Sequence, residues 1–169
     1  YADDAVVACR TEAQGREALR RIGVILERLK LRLHPDKTRV VFVGDGTQGF
    51  DFLGFHWRKV ASKKYRGKRY LQCWPSQRAM HRVRERIKAI SAPRHHLPEP
   101  IEPTVARVNR VVRGWGAYFR VGNSTPAFHA IDDDVRERLA RFLARKTRHG
   151  GHPRTRYTWA LFEQLGVYR

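Results

Sequence analysis

A chain of 169 residues with 41% hydrophobic and 11% aromatic residues carries enough apolar material for a core, which excludes a wholly disordered protein. Its 35 Lys and Arg against 16 Asp and Glu leave a formal net charge of +19, well beyond the magnitude of about 2–8 that keeps a small domain soluble. A polyanionic partner is implied, because each Lys or Arg set against a phosphate releases a condensed counterion.

The charge is unevenly placed. Residues 1–50 are close to neutral at +2, residues 56–120 reach +14 with three acids, and residues 121–169 add +4. The polyanion surface is therefore expected in the middle third. Arginine outnumbers lysine 27 to 8, a bias that suits forked contacts to phosphate and stacking on bases. Cys9 and Cys73 form no CxxC pair, which argues against a zinc site or a disulfide framework and fits a reducing compartment. No stretch approaches the roughly 18 apolar residues of a membrane span, and no signal peptide is visible. The chain opens on Tyr1 rather than Met, which suggests a piece of something longer or a trimmed product.

In chain order, Ala5–Cys9 is a short apolar run behind Asp3 and Asp4 and predicts a buried strand leaving a turn. Thr11 with Gln14 forms a capping box, and Leu19, Ile22, Leu26, Leu29 and Leu33 follow at helical spacing, predicting a helix over about 12–32 stopped by Pro35. Arg39–Val43 predicts another short strand. Phe50–Trp57 and Tyr70–Trp74 read as a β-hairpin whose long connection, Lys59–Arg69, is strongly cationic.

After Pro75 the period becomes helical. Ser76 caps a first helix with Met80, Val83, Ile87 and Ile90 on its apolar face and Arg78, Arg82 and Arg86 on another. A second helix from Thr104 carries Val105, Val108, Val112, Trp115 and Phe119, with Arg107, Arg110 and Arg113 beside them. Thr125 and Pro126 open a third, with Phe128, Ile131, Val135, Leu139 and Phe142 inside and Arg138, Arg141 and Arg145 outside. Three helices with one apolar stripe each predict a small bundle. Residues 91–103, with four prolines, read as a stiff extended connection, and His149–Arg156 as a basic tail before an apolar end. The fold class is α+β.

Asp3 and Asp4 are candidate metal ligands, because adjacent carboxylates on a turn can hold divalent ions against a nucleotide triphosphate. In isolation two aspartates before an apolar strand are ordinary turn residues. Their setting is more specific. Tyr1-Ala2-Asp3-Asp4, an apolar strand, a helix, Leu31-x-Leu33-x-Pro35-x-Lys37-Thr38, a strand and Phe50-Asp51-Phe52-Leu53-Gly54-Phe55 resemble, in order, the late palm motifs of group II intron reverse transcriptases. Val108-Asn109-x-x-Val112-Arg113-Gly114-Trp115-Gly116-Ala117-Tyr118-Phe119, continued by Phe128-x-x-Ile131-Asp132, looks like the maturase-specific thumb region of that family. The resemblance covers residues 1–148.

The resemblance implies the end of a reverse transcriptase palm over residues 1–74 (hairpin strands plus one helix), an α-helical three-helix thumb or maturase domain over 75–148, and a basic tail over 149–169. It implies catalytic and magnesium-binding roles for Asp3 and Asp4, and a role for Lys37 in neutralising departing pyrophosphate, against which Lys37 also reads as a surface lysine near a helix end. Phe52, Leu53 and Gly54 match the hairpin that supports the primer end. The implied partners of the complete enzyme are group II intron RNA, a DNA target and a primer/template, in a bacterial or organellar interior and without a membrane. Family members supply another metal-binding aspartate from an earlier palm strand, which these 169 residues do not contain, so the polypeptide by itself is expected not to polymerise.

Lys63, Lys64, Arg66, Lys68 and Arg69, interleaved with Trp57, Tyr65 and Tyr70, are candidate RNA contacts, since phosphates are gripped by cations and exposed bases stack on aromatic rings. Arg78, Arg82, Arg86, Arg107, Arg110 and Arg113 continue the cationic track. Trp115, Tyr118 and Phe119 have core spacing, Gly114 and Gly116 suggest close helix approach, and Asp132–Asp134 are expected near a helix start, where they would complement its dipole. The alternative is a stand-alone RNA-binding module in which Asp3 and Asp4 are only turn residues.

Overall fold

The computed structural model describes residues 4–148 and 152–168 and divides the chain into two compact units, Tyr1–Gln72 and Cys73–Arg169. It mixes helix and sheet, in agreement with the α+β expectation.

In the first unit, α1 spans Glu12–Arg28. Thr11 caps it as expected: its hydroxyl accepts from the Gln14 backbone N–H at 3.2 Å, while the Gln14 side chain accepts from the Arg10 N–H at 3.0 Å. The helix stops four residues before the predicted end, and Pro35 is not the cause. Lys30 takes a left-handed conformation (φ 58°), so that Leu31 N–H reaches Leu26 C=O at 2.8 Å and Lys30 N–H reaches Glu27 C=O at 2.9 Å. This is a Schellman motif built without glycine. Glu12 pairs with Arg16, and Glu17 pairs with Arg20 and Arg21, holding the Glu17 carboxyl down to about 2.

The strands predicted at 5–9 and 39–43 are not formed. Both segments are irregular, and Val6, Val7, Val40 and Phe42 are exposed. A strand needs a neighbour for its backbone N–H and C=O groups, and neither segment has one among the described residues.

The predicted single strand 50–57 is a hairpin in itself. Strands β1 (Gly49–Phe52) and β2 (Phe55–Ala61) pair antiparallel, Phe50 opposite Trp57 and Phe52 opposite Phe55. Leu53 and Gly54 form the two-residue connection with φ of 49° and 79°, the pair of positive values a type I′ turn requires. Side chains alternate across the pleat. On one face Phe50 stacks on Trp57 (centroids 6.5 Å apart, 11° between planes); on the other, Asp51 meets His56 Nδ1 at 2.6 Å. Strand β3 (Arg69–Pro75) completes a three-stranded sheet in the order β1-β2-β3.

The second unit is helical. Helix α2 (Gln77–Ser91) is capped by Ser76, whose hydroxyl accepts from Ala79 N–H at 3.2 Å. Helix α3 runs over Ile101–Phe119, three residues earlier than expected, because Pro103 falls in the first turn, where its missing N–H would have had no partner. Helix α4 (Thr125–Thr147) starts after Ser124, not Thr125, and Ser124 donates to the Val121 carbonyl at 3.0 Å instead of capping. Within the connection predicted as extended, Arg94–His96 form a 3-10 turn. Short helices α5 (Pro153–Arg156) and α6 (Trp159–Gln164) follow.

The predicted apolar stripes meet in one core, in which Ile87, Val108, Ile131, Leu139 and Phe142 are at most 1% exposed. Tyr157, Phe162 and Val167, from the segment read as tail and apolar end, pack into the same core. Gly122 sits at φ 80° where a Cβ would strike the Cys73 carbonyl, which also accepts from Asn123 N–H at 2.8 Å. Gly114 and Gly116, expected to mark close helix approach, face open space.

The helices are tied together at one corner. Arg145 donates to the Ser91 carbonyl at 2.6 Å and the Ala92 carbonyl at 2.9 Å, and Lys146 to the Leu97 and Glu99 carbonyls at 2.8 and 2.7 Å. Arg145→Ala is expected to lower unfolding stability by about 1–2 kcal/mol, the worth of two modest hydrogen bonds, read by urea denaturation. Leu139→Ala, at a fully buried position, is expected to cost about 2–5 kcal/mol in the same assay.

Candidate nucleic-acid interface

The connection between β2 and β3 is an ordered loop, shorter than expected because Lys59–Ala61 belong to β2 and Arg69 to β3. Ser62 organises it. Its hydroxyl accepts from the Lys64 and Tyr65 N–H groups at 3.2 and 3.0 Å, and its own N–H donates to the Lys68 carbonyl at 2.8 Å. The loop lifts Tyr65, 47% exposed, between Lys64 and Lys68, whose ammonium groups lie 5.3 and 5.4 Å from its ring centroid. Lys63, Arg66, Arg69 and Tyr70 are exposed around it. Asp45 lies near Arg69, and its carboxyl is held below the usual range chiefly by hydrogen bonds from Thr47, with Arg69 adding to them. Trp57 packs with Phe50 and Phe55, and its indole N–H is buried without a partner among the described residues.

In the helical unit, Arg78, Arg82 and Arg86 are exposed along α2 at steps of four and have no acidic partner among the described residues. Arg110 on α3 is likewise exposed. Arg107 is not a free cation: it turns to Glu99 at 3.4 Å and to the Thr104 hydroxyl at 3.2 Å. The Glu99 carboxyl is held below its ordinary range, first by His96 and then by Arg107. Arg113 lies 5.0 Å above the Tyr168 ring. That ring is brought there by Asn109, whose side-chain N–H donates to the Gly166 carbonyl at 2.7 Å and whose carbonyl accepts from Tyr168 N–H at 2.8 Å.

Of the residues matched to polymerase motifs, Asp3 lies outside the described residues, with Tyr1. Asp4 is exposed in irregular chain, and Lys37 is exposed in the turn that follows α1, its N–H on the His34 carbonyl at 3.2 Å. Phe52, Leu53 and Gly54 make the β1–β2 turn. No group of three or more His, Cys, Asp or Glu that could hold a metal occurs among the described residues, so magnesium rests on the resemblance alone. No helix among them is long and apolar enough to cross a membrane.

Asp132–Asp134 stand two turns inside α4, too far from its start to complement the dipole as expected. Asp133 instead accepts from Arg154 at 3.1 Å, beside Glu137 at 3.3 Å from the same guanidinium. Arg148 has no role in the sequence reading, although positions 138, 141, 145 and 148 recur at steps of three and four; the first three lie on α4 and Arg148 caps it.

With this arrangement in place, residues 77–161 match the family model described as group II intron, maturase-specific domain, just over half of the chain. The chain belongs to that family. It is thus the C-terminal part of a group II intron maturase, a protein of intron splicing whose partner is group II intron RNA. A comparison with curated proteins gave no match.

Asp134 provides a pH test of the helical unit. Burial pushes its carboxyl above the ordinary range, partly opposed by Arg138 and Arg84, and one of its oxygens has no partner among the described residues. A raised carboxyl binds its proton more tightly folded than unfolded, so stability falls as pH rises through the interval above the unfolded value of about 3.9. Asp134→Asn is therefore expected to melt higher than the parent at pH 7, with the gain disappearing below about pH 4.

Proposed function

We propose that this chain is the C-terminal part of a group II intron reverse transcriptase/maturase that binds its intron RNA through two cationic surfaces. One is the β2–β3 loop, with Lys63, Lys64, Arg66, Lys68 and Arg69. The other is the helical set Arg78, Arg82, Arg86 and Arg110. Residues 1–74 are read as the end of the palm, and the helices after Pro75 as the thumb. The observation that carries RNA binding is the set of exposed cations, all but Arg69 (which lies near Asp45) without acidic partners among the described residues, beside a Tyr65 ring open for base stacking. Splicing chemistry belongs to the RNA, and the protein's part is to hold a splicing-competent fold. The same interior of a bacterium or organelle where the intron is transcribed is its place of action.

In the complete enzyme, Asp3 and Asp4 would hold magnesium against the incoming nucleotide, with Lys37 and the Phe52–Gly54 turn nearby in role; primer/template and DNA target are partners of that enzyme. No polymerisation is assigned to these 169 residues by themselves. Primer extension by the purified chain that Asp3→Ala abolishes would overturn this assignment.

Binding of the chain to a group II intron transcript, followed by filter retention across a salt series, tests the RNA reading. The logarithm of the association constant is expected to fall steeply with the logarithm of salt concentration. An Arg78→Ala/Arg82→Ala/Arg86→Ala variant should flatten the slope by about 2–3, since each lost phosphate contact removes about 0.7–0.9. A near-zero slope for the parent chain would sink the reading.

A further inference from the structure

One cavity lies outside both of these surfaces. It has a volume of about 450 Å³, opens beside the end of α2 and the last turns of α4, and is lined by Arg138, Arg141, Arg145 and Arg148 over small groups that include Ala92 and Pro153. No acid lines it. The four arginines follow at steps of three, four and three, the first three on the last turns of α4 and Arg148 at the residue that caps it.

Their internal engagements differ. Arg145 is anchored by the Ser91 and Ala92 carbonyls and by the Arg141 carbonyl at 3.3 Å. Arg141 pairs with Glu137 at 2.6 Å. Arg138 is only within 4.0 Å of Asp134, and Arg148 has no acidic partner among the described residues. Arg148 also occupies the left-handed position that ends α4 (φ 52°), its N–H on the Ala144 carbonyl, which fixes its backbone at the rim. Two cations are thus held in place by the fold, whereas Arg148 is exposed and Arg138, its side chain 26% exposed, has only the longer pairing with Asp134. Like charges crowded into one concavity repel, and an anion seated among them relieves that repulsion.

We propose that this cavity seats a backbone phosphate of the bound RNA, with Arg138 and Arg148 as the contacting residues and Arg145 as the positioning residue. Guanidinium forks match the geometry of phosphate oxygens, and the small apolar floor leaves room for the attached ribose. The inference rests on the RNA-binding reading above and extends it to α4, which neither of the two proposed surfaces includes.

The test uses the full chain, a group II intron transcript as probe, and an Arg138→Gln/Arg148→Asn variant, asparagine being tolerant of the left-handed backbone. Melting temperatures equal to the parent's establish that the fold is kept; should the double variant melt lower, Arg148→Asn alone, at an exposed rim position, carries the test. The expected result is a salt slope shallower by about 1–2 and affinity about ten-fold weaker near physiological salt, with Arg138→Lys/Arg148→Lys falling between variant and parent because it keeps charge but loses the fork. Affinity and slope indistinguishable from the parent, while the α2 triple variant still binds weakly, would overturn the cavity and leave the general reading intact. A parent chain with no salt-dependent binding would overturn both.

Discussion

The helical unit depends on how the carbonyl groups at the end of α2 and along the proline-rich connection are satisfied. The last carbonyls of any helix have no partner within it, and a segment rich in proline offers few N–H groups to help. Two consecutive side chains of α4 meet this need: Arg145 takes Ser91 and Ala92, and Lys146 takes Leu97 and Glu99. The connection is thereby fixed to α4 along its length, and α3 leaves from Pro100 in a set direction. Ile87, Val108 and Leu139 pack together in the core of the helices so tied. A charge that reads in the sequence as surface is a structural tie.

The same composition is put to two uses along the chain. On α1, arginines alternate with glutamates at helical spacing and are neutralised locally, by Glu12 and Glu17. On α2 the one acid, Glu85, turns to Lys88, so the arginines at 78, 82 and 86 have no acidic partner among the described residues and the field they project is left for a partner. Net charge alone does not distinguish these cases. Placement of the acids does, and the maturase-specific domain is where they are scarce relative to arginine along α2 and α3.

Periodicity made α1 to α4 legible, and Ser76 and Thr11 were legible as caps because a hydroxyl before an apolar stripe has a definite task at a helix start. What escaped were features decided by distant partners. The apolar runs at 5–9 and 39–43 have strand composition, but strand formation depends on a neighbour that composition cannot supply. The turn at Leu53-Gly54 was hidden inside an aromatic run because leucine is an unusual occupant of a positive-φ position. Among the candidate RNA contacts, Arg107 is drawn in by Thr104, one turn back, and by Glu99, eight residues earlier and across the start of α3, the second a relation that helical spacing does not encode. The polymerase-motif residues were legible only as a resemblance, since Asp3 lies outside the described residues, Asp4 stands in irregular exposed chain and Lys37 in an exposed turn.

Asn109 bears on why the end of the chain stays against α3. Its amide presents one donor and one acceptor, and the backbone around Gly166 and Tyr168 presents the complementary pair two residues apart. A side chain here plays the part of a strand neighbour: a primary amide has the same hydrogen-bonding face as a peptide group. An aspartate at this position would accept but could not donate, a leucine would do neither, and a glutamine would carry the face one carbon too far. The backbone of Gly166–Tyr168 is consequently matched by one amide acting as a one-residue strand, beside Val167, which packs into the core.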